Sequence, residues 1–97
     1  MLVLVTYDVK VTSEQGQKRL RNIAKICLDY GVRVQNSVFE CEIDPTQFIF
    51  LKSKLLEAYN AEQDSLRFYF LGKQGRQRLE HYGVKLVADP LCDAIIF

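Results

Sequence analysis

At 97 residues, the chain has room for one compact domain and none for a separate catalytic or regulatory module. Apolar residues make up 48% and charged residues 26%, a composition that excludes intrinsic disorder, and no stretch approaches the roughly 20 apolar residues that cross a bilayer. The net charge of +1 is unevenly spread: between Lys10 and Arg33, six basic residues (Lys10, Lys18, Arg19, Arg21, Lys25 and Arg33) face Glu14 and Asp29, a local charge of +4 that leaves −3 elsewhere, as a local phosphate-binding surface requires.

Leu2 to Val9 is β-rich with apolar side chains at both parities, the pattern of a central strand covered on both faces. The apolar start lacks a basic leader and runs into Thr6 and Asp8, so it is expected to be a buried strand of a soluble, cytoplasmic protein rather than a signal segment. Ser13 can cap a helix running to Tyr30, in which Leu20, Ile23, Ala24, Cys27 and Leu28 recur at helical spacing and Gly31 supplies the stop. Lys18, Arg21 and Lys25 recur on the opposite side and face outward.

Val32 to Ile43 reads as extended, with an imperfect alternation near Asn36 and Ser37 that fits either a tight reversal between two short strands or a bulge. Asp44-Pro45-Thr46-Gln47 combines an N-cap, a proline at the first helical position and a capping-box glutamine. The helix it opens is expected to run to Tyr59, with Phe48, Leu51, Leu55 and Tyr59 as its buried stripe. Ser65 to Leu71 alternates, placing Leu66, Phe68 and Phe70 on one face and Arg67, Tyr69 and Leu71 on the other. Gly72 to Tyr82 reads as a polar connection with a helical turn, and Val84–Val87 and Ala94–Phe97 as two further short strands.

This order predicts an α+β fold, a ferredoxin-like βαββαβ plait over residues 1–97, with 84–97 as an appended strand segment pairing at a dimer. Two helices on one sheet face leave the other bare, and that face, carrying Arg67, Tyr69 and Leu71, is expected to need a partner subunit. Cys27, Cys41 and Cys92 are odd in number and lack metal or redox spacing, so free buried thiols are expected.

Thr6-Tyr7-Asp8-Val9, Lys18-Arg19-Leu20-Arg21, the run from Gly31 to Glu40 containing Arg33-Val34-Gln35-Asn36-Ser37-Val38-Phe39-Glu40, and Asp64-Ser65-Leu66-Arg67-Phe68-Tyr69 resemble the CRISPR-associated "Cas-two" family. The resemblance covers almost the whole chain. It implies a ferredoxin-like homodimer in which Asp8 of both protomers approaches a metal at the interface. It also implies metal-dependent cleavage of RNA or DNA in some members, and a scaffolding role beside the CRISPR integrase during spacer acquisition.

Mg²⁺, with Mn²⁺ as a substitute, is satisfied by one or two carboxylates and several waters and can both activate water and stabilise a phosphodiester transition state. Two copies of Asp8 would meet that need; an isolated strand-end aspartate is otherwise commonly a turn or cap residue. Tyr7 points to the opposite strand face from Asp8, which suits packing beside the site. Arg19, Arg21 and Arg33 are expected to contact phosphate through their guanidinium forks. Ser37 and Phe39 match the family segment beside the site, although a strand bulge and core packing account for them equally. No motif brings His81 to Asp8, so no general-base role is assigned to it. A metal-dependent endonuclease, a non-catalytic DNA-binding scaffold for an integrase, and a ligand-sensing plait supported by fold frequency alone are the three functional readings.

Overall fold

The chain alternates strands and helices as β1 (Leu2–Asp8), α1 (Glu14–Leu28), β2 (Val32–Gln35), β3 (Val38–Glu42), α2 (Pro45–Ala58), β4 (Ser65–Leu71) and β5 (Gln77–Gly83). These elements come from a computed structural model that describes residues 1–72 and 77–84. The strands form one antiparallel sheet in the order β2-β3-β1-β4-β5. The first four strands have the ferredoxin-like arrangement, and β5 extends the sheet as a hairpin partner of β4.

Local sequence accounts for both helix starts. The Ser13 hydroxyl accepts from the Gly16 amide at 3.0 Å. Asp44 and Gln47 form a reciprocal capping box, the Gln47 amide donating to Asp44 at 2.7 Å and the Asp44 amide to Gln47 at 2.9 Å, with Pro45 at the first position, where its missing N–H costs nothing. α1 ends at Leu28 with Asp29 as its C-cap. Gly31 is not the left-handed residue expected there, since Gly83 is the positive-φ glycine among the described residues. Its requirement is close approach instead: a side chain at position 31 would run into the Glu40 carbonyl and Cys41 of β3.

Odd residues of β1 (Val3, Val5, Tyr7) face the helices, where they join Phe39, Cys41, Leu66 and Phe68 from the sheet, Ile23 and Cys27 from α1, and Phe48, Leu51 and Leu55 from α2. The Phe48 ring meets Phe68 and Phe70 edge-on at centroid separations of 5.3 and 4.9 Å, an arrangement that suits the ring quadrupoles.

The open choice at Asn36-Ser37 resolves into both features. A two-residue reversal joins Gln35 to Val38, and the register also shifts between Arg33 and Gln35. The described residues include no non-glycine at positive φ, so the turn is not of the primed type whose twist matches a hairpin, and the irregular register absorbs the mismatch.

Three expectations are corrected. Residues 77–83, read as part of a polar connection with a helical turn, form β5: Leu79 and His81 face one way and Arg78, Glu80 and Tyr82 the other. The charged members are tied down by tertiary contacts, Lys52 Nζ of α2 meeting Glu80 at 2.9 Å and the Tyr82 hydroxyl donating to the same oxygen. Second, the sheet face opposite the helices is not bare at β4. Arg67 and Tyr69 are only 7% and 5% exposed within the single chain. Third, Val84 is a bend, not the first residue of a strand. Residues 85–97, with Cys92 and the strands expected at 84–87 and 94–97, otherwise lie outside the described residues.

Candidate functional site at the Asp8 groove

Even residues of β1 point away from the helices, so Thr6 and Asp8 emerge on the opposite face. Asp8 closes the strand and is exposed. It pairs across the sheet with Ser65, while Thr6 lies between Val38 and Arg67. The β2–β3 turn is drawn against this strand end by the Tyr7 amide, which donates to the Ser37 carbonyl at 3.1 Å. A groove of about 540 Å³ results, with Asp8, Thr6, Asn36, Ser37, Ser65 and Arg67 in its lining.

Tyr7 and Asp8 do lie on opposite faces. Tyr7 is buried and stacks on Phe39, ring centroids 6.2 Å apart. Burial pushes its phenol up from the ordinary value, against a hydrogen bond from Arg33 that lowers it. Phe39 itself is wholly buried in the core.

The three arginines expected to meet phosphate occupy different positions. Arg19 is bound to Asp64, Nε to Oδ2 at 2.8 Å and Nη2 to Oδ1 at 3.2 Å, and also reaches Gln63. Arg33 pairs with Phe39 on β3 and lies over that ring at 5.1 Å, on the helix side of the sheet. Arg21 is exposed on α1, together with Lys18 and Lys25. None of the three lines the Asp8 groove.

Arg67 does. Sequence alternation assigned its face but no function, and the signal was present as a lone cation in an apolar strand. Its Nε donates to His81 Nδ1 at 2.9 Å and Nη1 to the Tyr69 hydroxyl at 3.2 Å. Asp64 was likewise passed over. Its buried carboxylate accepts from the Lys10 and Asn60 amides as well as from Arg19. Burial alone would raise its pKa, but the guanidinium and the two amides outweigh that and hold it below the ordinary value.

For a divalent cation the groove offers hard oxygen donors: the exposed Asp8 carboxylate beside the hydroxyl residues Thr6, Ser37 and Ser65. This donor chemistry fits Mg²⁺ or Mn²⁺, which take one or two carboxylates and keep several waters. Among the described residues no group of three or more His, Cys, Asp or Glu could hold a metal, and Asp8 is the carboxylate that the described lining of the groove supplies. Also among the described residues, no helix is long and apolar enough to cross a membrane.

Residues 1–79 match the family profile described as CRISPR associated protein Cas2. A CRISPR-associated endoribonuclease Cas2 of Chlorobaculum tepidum is 58% identical, over 92% of this chain and 93% of the relative. A CRISPR-associated endonuclease Cas2 of Halalkalibacterium halodurans is 53% identical over the full length of both chains. The crystal structure of Streptococcus pyogenes Cas2 superposes with a TM-score of 0.71 at 55% identity, covering 75% of this chain and 88% of the other. The profile match over residues 1–79 and these similarities together establish that the chain belongs to the CRISPR-associated Cas2 family.

Proposed function

We propose that this protein is a metal-dependent endonuclease of single-stranded RNA or double-stranded DNA that takes part in spacer acquisition in CRISPR defence. The observation that carries the reading is the exposed Asp8 carboxylate at the end of β1, opening on a groove that also holds Arg67. The nuclease names of the relatives support it.

Asp8 would hold the Mg²⁺ or Mn²⁺ ion. When bound, the ion supplies a Lewis acid for the scissile phosphate and lowers the pKa of a coordinated water. Asp8 contributes the negative charge that retains it, and the hydroxyls of Ser37 and Ser65 bind and orient water in the groove. Because the described residues of one chain bring one carboxylate to the groove, a homodimer would supply the second, with two copies of Asp8 holding the ion.

Purified protein incubated with single-stranded RNA and with duplex DNA, in Mg²⁺, in Mn²⁺ and in chelator, tests the reading. Cleavage that requires the metal and disappears in Asp8→Asn is expected; cleavage unaffected by Asp8→Asn removes the mechanism.

A second reading, a non-catalytic DNA-binding scaffold for the CRISPR integrase, is favoured by one observation: Lys18, Arg21 and Lys25 are exposed on α1, across the sheet from Asp8. It predicts that Asp8→Asn still supports spacer insertion while joint charge reversal at Lys18 and Arg21 abolishes DNA binding. Arg19 is unsuitable for that test because its reversal would break the contact with Asp64.

A further inference from the structure

Three consecutive residues of the β2–β3 reversal, Gln35, Asn36 and Ser37, line the Asp8 groove, as does Ser65 of β4. In the sheet order, β1 with Asp8 at its end runs between β3 and β4, so the turn stands on one side of the carboxylate and β4 on the other. A nucleic-acid strand laid in the groove to reach Asp8 passes the turn.

Tyr7, the residue before Asp8, holds this turn to β1 through two donors. Its amide donates to the Ser37 carbonyl at 3.1 Å and its hydroxyl to the Asn36 carbonyl at 3.4 Å. The second distance is long for an O–H···O bond, so the amide is the main anchor and the hydroxyl a finer adjustment. The ring that carries the hydroxyl is set by its stack on Phe39. Asn36 is therefore not needed to build the reversal. An asparagine serves a turn by taking positive φ or by bonding its own backbone, but no described non-glycine residue has positive φ, and among the described residues neither the Asn36 nor the Gln35 side chain is hydrogen-bonded. Both residues are exposed.

A side-chain amide presents a donor beside an acceptor. A phosphate supplies acceptors alone and leaves the amide oxygen unused, whereas the edge of a nucleobase supplies both kinds of group side by side, which is how Asn and Gln read bases. The groove, about 540 Å³, falls within the range of roughly 300 to 1,000 Å³ that holds one small ligand, a size that suits a nucleotide. We propose that the β2–β3 turn is the base-contacting wall of the Asp8 groove, with Gln35 and Asn36 as specificity-determining residues that hydrogen-bond a base beside the scissile phosphate and Tyr7 as the residue that positions them. The inference rests on the nuclease reading and adds to it the part of the substrate that is read and the residues that read it.

The test uses the whole chain with fluorescent single-stranded RNA and duplex DNA, in which one abasic nucleotide is moved through the positions flanking the cut. Affinity is measured in chelator and kcat/KM in Mg²⁺. In the wild type, loss of the base at one fixed position is expected to lower both about tenfold. In the joint Gln35→Ala, Asn36→Ala variant the same abasic nucleotide should cost less than about twofold, because the interaction it removes is already gone. Tyr7→Phe keeps the ring and the Ser37 bond but loses the hydroxyl; it should raise KM more than it lowers kcat and give an abasic penalty between the other two. Thermal melts check folding, and the single Gln35→Ala and Asn36→Ala variants keep the cycle decisive if the joint variant unfolds.

An abasic penalty equal in wild type and the alanine variants, or below about twofold at every position in the wild type, overturns the base-reading wall, while cleavage that needs Mg²⁺ and Asp8 leaves the nuclease reading standing. A Tyr7→Phe protein matching wild type in KM and in abasic penalty overturns the positioning role. Absence of cleavage in every form, or cleavage unaffected by Asp8→Asn, overturns the nuclease reading and the wall with it.

Discussion

Arg19 grips Asp64 at two points, Nε to Oδ2 at 2.8 Å and Nη2 to Oδ1 at 3.2 Å, and so joins α1 to the residue preceding β4. Asp64 also accepts from the Lys10 amide, two residues beyond Asp8, and Ser65, its successor, pairs directly with Asp8. The carboxylate thus closes the end of the sheet from which the groove opens.

Removing that carboxylate leaves two amides and a guanidinium without their acceptor. Asp64→Ala is expected to destabilise the fold by about 3 kcal/mol, measured by urea unfolding. It should also weaken groove function more than its distance from Asp8 would suggest, because the strand end that carries Asp8 loses its anchor. A variant as stable as wild type would show that the contact is replaceable.

Acid stability follows from the same group and from Glu80. Burial raises both pKa values, but Arg19 with two amides outweighs it at Asp64, and Lys52 with Tyr82 outweighs it at Glu80, so both lie below their ordinary values. Carboxylates lowered in the folded state contribute their full stability above their unfolded pKa values, and that contribution is lost as the pH falls through the folded ones. Unfolding free energy should therefore decline below the ordinary carboxylate range, more steeply in the wild type than in a jointly substituted Asp64→Asn, Glu80→Gln protein. Parallel declines would refute the assignment.

The hold of α2 on β5 is also measurable. Lys52→Met removes the 2.9 Å ion pair with Glu80, which is partly shielded from solvent and worth about 1 kcal/mol or less. Faster amide hydrogen exchange is expected in residues 77–83, with β1 and β3 unchanged. Uniform acceleration through the sheet would mean that β5 is held by other contacts.

Cys27 and Cys41 should behave as core residues. Burial first, and then the neighbouring thiol, pushes the Cys27 thiol up to about 12, while burial pushes Cys41 up to about 11. Because the thiolate is the reactive species, neither should be alkylated by iodoacetamide in the native protein near pH 8, and both should be in denaturant, as mapped by mass spectrometry. Native labelling at either position would contradict this packing.

The amino-acid sequence determined the order of β1, α1, an extended segment over 32–43, α2 and β4, both helix N-caps, the two faces of β4 and the position of Asp8 at a strand end, while the division of 32–43 into two strands stayed open. Each depends on residues a few positions apart: a hydroxyl three residues before an amide, or an alternation of period two. Family likeness, carried by local runs such as Arg33 to Glu40, was legible for the same reason. Strand β5 was not, because its charged residues look like solvent-facing loop until Lys52, 28 residues earlier, neutralises Glu80.

Only the tertiary structure decided what the cations do. A basic residue carries the same charge whether it meets phosphate or a carboxylate of its own chain. Arg19 was diverted to Asp64, 45 residues away, Arg33 was laid over Phe39 on the helix side, and Arg67 was brought to His81 by the β4–β5 pairing. Which partner a long charged side chain takes depends on what the fold carries within a few ångströms of it, and no local pattern encodes that.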